Sequence, residues 1–258
     1  MRDLLGQARL ELRYEPVEKR VRVGTIIDTT HALLVWEPRR VVPSYAVPEE
    51  TIRPTPTPWP REAAHVDGVL HPGIPFAVHT AAGEPVTIAE RAGAGFRLED
   101  LPGYVVLDFA AFDEWYEEDE RIFGHPRDPY HRVDVRQSSR PVRVELDGVL
   151  VAETTRARLL FETNLPLRFY FPREDIRGDL RPGTRERTYC PYKGHASYWS
   201  LGEREHVAWS YEQPLDDAVA ITGLVAFWDE QVDVFLDGER RDRPGGPISA
   251  ALRDEFGV

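Results

Sequence analysis

The feature that most constrains this chain is an internal repeat. Val21-Arg22-Val23 is matched by Val142-Arg143-Val144, and Thr30-His31-Ala32-Leu33-Leu34-Val35-Trp36-Glu37 aligns without a gap on Thr155-Arg156-Ala157-Arg158-Leu159-Leu160-Phe161-Glu162. Both stretches run on to an aromatic residue and a proline, Tyr45 and Pro48 in the first, Phe169 and Pro172 in the second. Glu50-Thr51-Ile52 and Glu174-Asp175-Ile176 then follow at the same spacing. More weakly, His71-Pro72 before Ala77 parallels Cys190-Pro191 before Ala196, and Ala111-Phe112 parallels Ala226-Phe227. Order kept over this distance predicts two copies of one domain, the first from near Lys19 to Tyr116 and the second from near Pro141 to Asp237. A chain of 258 residues with 41% hydrophobic content can give each copy its own core. The expected domains are residues 1–122 and 141–239, joined by a linker over 123–140 and followed by an extension over 240–258.

The second copy reads as β-structure. Val142 to Val151 alternates around Asp147-Gly148, a hairpin dipeptide. Leu165 to Phe171, Val219 to Phe227 and Gln231 to Leu236 read as further strands, the last ending at Asp237-Gly238. The 22 prolines and 19 glycines are scattered through the chain, which suits many short strands and turns. Helices are expected at Leu4–Tyr14, at Phe112–Ile122 with its acidic run as a solvated face, and briefly near the C-terminal end. The predicted fold class is mainly β: antiparallel sheets with few short helices.

Composition narrows the function. Thirty-two basic against 44 acidic residues leave a net charge of -12, which argues against nucleic acid or an anionic membrane as partner. Arg136, Arg140 and Arg143 cluster, but among polar and strand-like residues, and read as a solvated face. No run approaches the ~20 apolar residues that cross a bilayer. Met1 to Leu12, interrupted by Asp3 and Glu11, lacks the apolar core of a signal peptide. The single cysteine, Cys190, excludes an intrachain disulfide and a zinc site of several thiolates, and fits a reducing cytoplasm. His125, Asp128 and His131 are spaced three apart, but Pro126 and Pro129 deny them the helix that would align them on a metal. Asp216-Asp217 reads as a turn. Neither metal nor cofactor is expected, and phosphate-loop, dinucleotide, zinc-protease and nucleophile-elbow motifs are absent from the sequence.

One segment stands apart. Tyr189-Cys190-Pro191-Tyr192-Lys193-Gly194-His195-Ala196-Ser197-Tyr198-Trp199-Ser200 concentrates aromatics around the lone cysteine, and Trp209-Ser210-Tyr211 follows. Tyr and Trp offer an apolar face and a polar handle, so Tyr192, Tyr198, Trp199, Trp209 and Tyr211 are candidates to line a ligand pocket. The plainer reading is an aromatic sheet core. Strand alternation would put His195, Ser197 and Trp199 on one face, and Ala196, Tyr198 and Ser200 on the other. Cys190 is a candidate nucleophile if Lys193 or His195 serves as its cation or base, and a small buried hydrophobe otherwise. Lys193 is also a candidate for pairing with an anionic ligand or forming an imine, and His195 for general acid or base work.

Tyr189-Cys190-Pro191-Tyr192-Lys193-Gly194, with Trp209-Ser210-Tyr211 and Ala226-Phe227 behind it, resembles the DUF427 family across the second copy. Val142-Arg143-Val144, Asp147-Gly148 and Phe171-Pro172 are similar to that family in their placement too. Through the repeat, the first copy looks like a degenerate member, and the chain resembles the tandem version of the family. The resemblance implies a β-tent fold, two antiparallel sheets set at a steep angle around a cavity. Relatives of that fold pin their sheets with four cysteines on zinc, which a chain with only Cys190 cannot do. In the cereblon-like branch an aromatic cage holds a small cyclic amide, for which Trp199, Trp209 and Tyr211 are the analogous residues. A nucleotidyltransferase label attached to the family finds no supporting residue pattern here. The expectation is therefore a module binding a small polar or cyclic metabolite in an aromatic pocket of the second domain. Its rivals are an enzyme using Cys190, Lys193 and His195, and an assembly protein that forms a homo-oligomer through its first copy.

Overall fold

In a computed structural model the chain divides by its contacts into two units, Met1–Pro129 and Tyr130–Val258. The structure describes residues 10–60, 70, 73–245, 249–250, 253 and 256–257. Each unit is built of antiparallel sheets, as the mainly-β expectation has it.

The first unit contains β1 (Arg13–Pro16), β2 (Val21–Val23), β3 (Ile27–Thr29), β4 (Leu33–Trp36), β5 (Ser44–Pro48), β6 (Thr57–Pro58), β7 (Gly83–Ile88), β8 (Arg91–Leu98), β9 (Tyr104–Leu107), β10 (Trp115–Glu117) and β11 (Glu120–Ile122). Seven of these form a sheet in the order β1-β4-β5-β9-β8-β7-β6, and four form a second in the order β11-β10-β2-β3. The second unit contains β12 (Val133–Gln137), β13 (Val142–Leu146), β14 (Val149–Thr154), β15 (Arg158–Glu162), β16 (Arg168–Phe171), β17 (Leu180–Pro182), β18 (Thr188–Cys190), β19 (Gly194–Leu201), β20 (Arg204–Pro214), β21 (Val225–Phe227), β22 (Asp233–Leu236) and β23 (Glu239–Arg240). Its large sheet runs β12-β15-β16-β21-β20-β19-β17, with β18 paired to β19, and its small sheet runs β14-β13-β22-β23. β12 falls within the stretch expected to be a linker, and pairs along its whole length with β15. No described helix is long and apolar enough to cross a membrane.

Where local signals agreed with burial, the expected strands form. Asp147 and Gly148 take φ of 52° and 76°, the left-handed pair that a two-residue hairpin needs, and join β13 to β14. One expected helix does not form, and the described end of another is extended. Arg13 and Tyr14 lie in β1, paired with β4, while residues 4–9 of that expected helix lie outside the described residues. Phe112–Ile122 is instead a hairpin, β10 and β11, turning at Glu118 with φ of 50°. Trp115 decides this: it is 2% exposed, stacks on Phe109 at 4.5 Å and donates to the Phe109 carbonyl at 3.0 Å, while β10 pairs with β2. Acidic residues on the outer side satisfy a strand edge as well as a helix face, so their periodicity could not discriminate. Val219 to Phe227 is only partly a strand. A 3-10 turn over Asp216–Ile221 buries Ala218 and Ile221, and Asp216 and Asp217 open it. Ala111 ends another 3-10 turn and Phe112 caps it, whereas the strand at the place of Val225–Phe227 in the sheet order is β9. His71-Pro72 lies outside the described residues. Near the C-terminal end, Ser249, Ala250, Arg253 and Phe256 are helical.

The large sheet of the second unit is buried on both faces, and strand alternation sorts its side chains. Phe169, Phe171, Ala208, Phe227 and Leu201 face the small sheet and pack with Val142, Val144 and Val234. Tyr170, Trp209, Tyr211, Tyr198 and Trp228 lie on the other face, with Ala218 and Ile221 of the 3-10 turn and with Phe256 against them. Burying aromatics of this size contributes roughly 1.5–3 kcal/mol for each side chain removed from water. The second face therefore has to be packed for the sheet to be stable.

Candidate functional site

The turn Cys190–Gly194 closes the β18–β19 hairpin, with the Lys193 N–H donating to the Cys190 carbonyl at 3.2 Å. Gly194 takes φ of 91°, and a Cβ there would come within 3.3 Å of the Gln213 carbonyl, so the tight turn requires glycine. This geometry sends the Lys193 ammonium inward to the end of β15, where it ion-pairs with both carboxylate oxygens of Glu162. The two side chains are 8% and 4% exposed. His131, just ahead of β12, places Nε2 at 3.0 Å from Glu162 Oε1, and the Tyr192 ring stacks on its imidazole at 3.9 Å.

The electrostatics follow from burial and pairing. Burial pushes the Glu162 carboxyl up, but the Lys193 charge and the His131 contact outweigh it and hold the group below its usual range. Burial pulls Lys193 down, and the Glu162 charge more than offsets this, so its pKa is raised. The Tyr170 and Tyr211 hydroxyls are raised as well, chiefly by burial. The Lys193 and Glu162 charges also act on Tyr170, and the Glu162 charge acts on Tyr211. Trp209 Nε1 donates to the Tyr170 hydroxyl at 3.1 Å.

A second charged group lies on the same face. Arg168 holds Glu230 through two hydrogen bonds of 2.8 Å, and its guanidinium lies over the rings of Trp209 and Trp228 at 5.4 and 5.5 Å. Asp229 sits 3.7 Å from Arg168, and burial pushes its carboxyl up to about 6.

The arrangement supplies a locked ammonium–carboxylate pair and protonated tyrosine donors. It does not supply a neutral amine, because imine chemistry needs a lysine pKa that is lowered. Cys190 is partly buried at the end of β18, Lys193 is committed to Glu162, and His195 is exposed and edge-on to Tyr189 at 4.9 Å.

The five candidate pocket aromatics divide between places. Tyr198, with its hydroxyl 2.6 Å from Thr188 Oγ1, lies with Trp209 and Tyr211 on the aromatic face. Trp199 packs on the opposite face, donating to Ser210 Oγ at 2.8 Å beneath the Arg173 guanidinium at 4.1 Å. Tyr192 belongs to the His131 stack. Grouping Trp199 with Trp209 and Tyr211 is thus corrected, because neighbouring positions on a strand pair point to opposite faces. His125, Asp128 and His131 also go separate ways: to the Pro126 carbonyl, to the Trp36 indole N–H and to Glu162.

Glu162, Tyr170, Arg168 and Glu230 escaped sequence reasoning, and His131 was weighed there only for a metal. For Glu162 a signal existed, since the repeat aligns it with Glu37 at the end of an equally apolar strand. No curated protein matches the chain. Residues 134–238, which span most of the second unit and its buried polar centre apart from His131, match the model of a family described as a domain of unknown function, DUF427.

Proposed function

We propose that the second unit binds a small polar ligand, cyclic or planar, at the centre formed by Glu162, Lys193, Tyr170 and Tyr211. What supports this reading is a buried ion pair whose charges act on two buried tyrosines, on a sheet face that is otherwise aromatic. A core gains nothing from such a pair, since well-packed apolar residues of similar volume are as stable or more so. Polar groups converging among aromatic rings are what a small-molecule site requires. Tyr211→Phe removes one hydroxyl and keeps the ring. In a thermal-shift screen of cyclic amides and polar metabolites, hits on the wild-type chain should weaken by roughly 2–10-fold in this variant, the value of one neutral hydrogen bond. Hits that bind Tyr211→Phe unchanged would place the ligand elsewhere.

We also propose that the two units are diverged copies of one domain. The strand order β1-β4-β5-β9-β8-β7-β6 parallels β12-β15-β16-β21-β20-β19-β17 strand for strand. Arg39 and Asn164, aligned by the repeat, take φ of 66° and 67°. The aligned Arg22 and Arg143 lie over Tyr116 and Phe235 at 4.9 and 4.2 Å. Glu37 and Glu162 are both buried, each beside a histidine. Tyr130–Val258 expressed separately should then unfold cooperatively; a chain that shows no transition would contradict an autonomous second copy. The lone cysteine supports a cytoplasmic location.

A further inference from the structure

After β4 the chain of the first unit turns through Glu37–Arg40, with the Arg40 N–H bonded to the Glu37 carbonyl at 3.0 Å. The turn carries the Arg40 side chain inward until the residue is 3% exposed. Its Nη2 donates to the Val78 carbonyl and lies 3.5 Å from that of Pro75, and the guanidinium sits 5.3 Å from the Phe76 ring. Nε and Nη1 are buried and meet no acceptor. Among the described residues no carboxylate is ion-paired with this guanidinium.

A guanidinium keeps its charge at every physiological pH, and an uncompensated buried charge is costly. The carboxylates that act on it from a distance already have their own donors. Glu37 accepts from His79 Nδ1 at 2.8 Å and from the backbone N–H groups of Thr80 and Ala81 at 2.8 and 3.1 Å. Asp108 accepts from the Ala110 N–H at 2.9 Å. What the site lacks is acceptor atoms and one negative charge.

The fold does not demand arginine here. At the corresponding turn of the second unit, Leu165 donates its N–H to the Glu162 carbonyl at 3.2 Å, and the preceding Asn164 is left-handed like Arg39. Within the segment against the guanidinium, from Gly73 to His79, Gly73 and Pro75 are exposed.

We propose that Arg40 anchors a binding site in the first unit for a compact oxyanion, a carboxylate or a phosphate. The test is isothermal titration of the full chain with inorganic phosphate and with acetate, at ionic strength held constant with chloride. The wild-type chain is expected to bind at least one of them saturably. Arg40→Leu, the residue found at the corresponding turn, should weaken that binding by about 10-fold or more, the share of a charge-assisted hydrogen bond, and keep its unfolding midpoint in chloride alone. Arg40→Gln, which retains a donor for the Val78 carbonyl, should lose binding likewise and serves if the leucine variant does not fold. Absence of saturable binding by both anions would overturn the proposal, leaving water as the partner of Nε and Nη1. Equal binding by wild type and variant would overturn it too, because the anion would then sit elsewhere.

Discussion

Replacing Glu162 by glutamine takes away the carboxylate that Lys193 is paired with, and leaves an ammonium whose side chain is 8% exposed. Breaking a buried pair from one side costs about 3–5 kcal/mol, because the remaining charge loses its partner without regaining water. The protein can limit this loss by releasing the lysine proton, and that release has a pH signature. In the wild type the folded-state pKa of Lys193 lies above its ordinary value of 10.5, so the stabilisation is complete below that pH and is lost only as pH rises beyond it. In Glu162→Gln the main charge offsetting burial is gone, and the folded-state pKa is expected to fall below 10.5. The unfolded chain then binds more protons than the folded one, and stability of the variant rises with pH. Urea unfolding followed by tryptophan fluorescence should show a deficit of about 3–5 kcal/mol near pH 7, narrowing toward about pH 9. The double variant Glu162→Leu, Lys193→Met should recover most of the loss, since two apolar groups replace two charges. A single-variant cost below about 1 kcal/mol, or a double variant no better than the single, would refute the view that the pair is buried and mutually dependent.

Asp229 provides a second pH test: its carboxyl, pushed up to about 6 by burial, destabilises the fold once ionised, so Asp229→Asn should add about 1–3 kcal/mol above that pH and nothing below about pH 4, measured by unfolding at the two pH values. Trp209→Ala should cost about 3–5 kcal/mol, since the ring packs 4.3 Å from Trp228 and its N–H is bonded to Tyr170; a midpoint within the scatter of wild type would mean that the aromatic face is not close-packed. Asn164, exposed with φ of 67°, should tolerate glycine within about 0.5 kcal/mol and lose about 1–2 kcal/mol as valine, again read from urea midpoints.

Much of the second unit was legible along the chain, because its strands are written in local terms. Val142-Arg143-Val144 alternates, and Asp147-Gly148 supplies a turn that needs left-handed backbone. The acidic run Asp113 to Glu120 misled for the complementary reason. Charge on a solvent-facing edge suits helix and strand alike, and only the docking of Trp115 against Phe109 and β2 selects the hairpin.

The candidate site divides along the same line. Sequence alone determined the mainly-β class, the aromatic density between Tyr189 and Tyr211, and the glycine that shapes the Lys193 turn, since each depends on neighbours in the chain. Tertiary structure decided that Lys193 meets Glu162, 31 residues away, and that Trp199 and Trp209 look out from opposite faces of one sheet. It also decided that Arg40 is buried with unmatched donors. Pairing, face and burial depend on which strands become neighbours across the sheet, and that is settled by the summed packing of residues distant in sequence rather than by any local pattern.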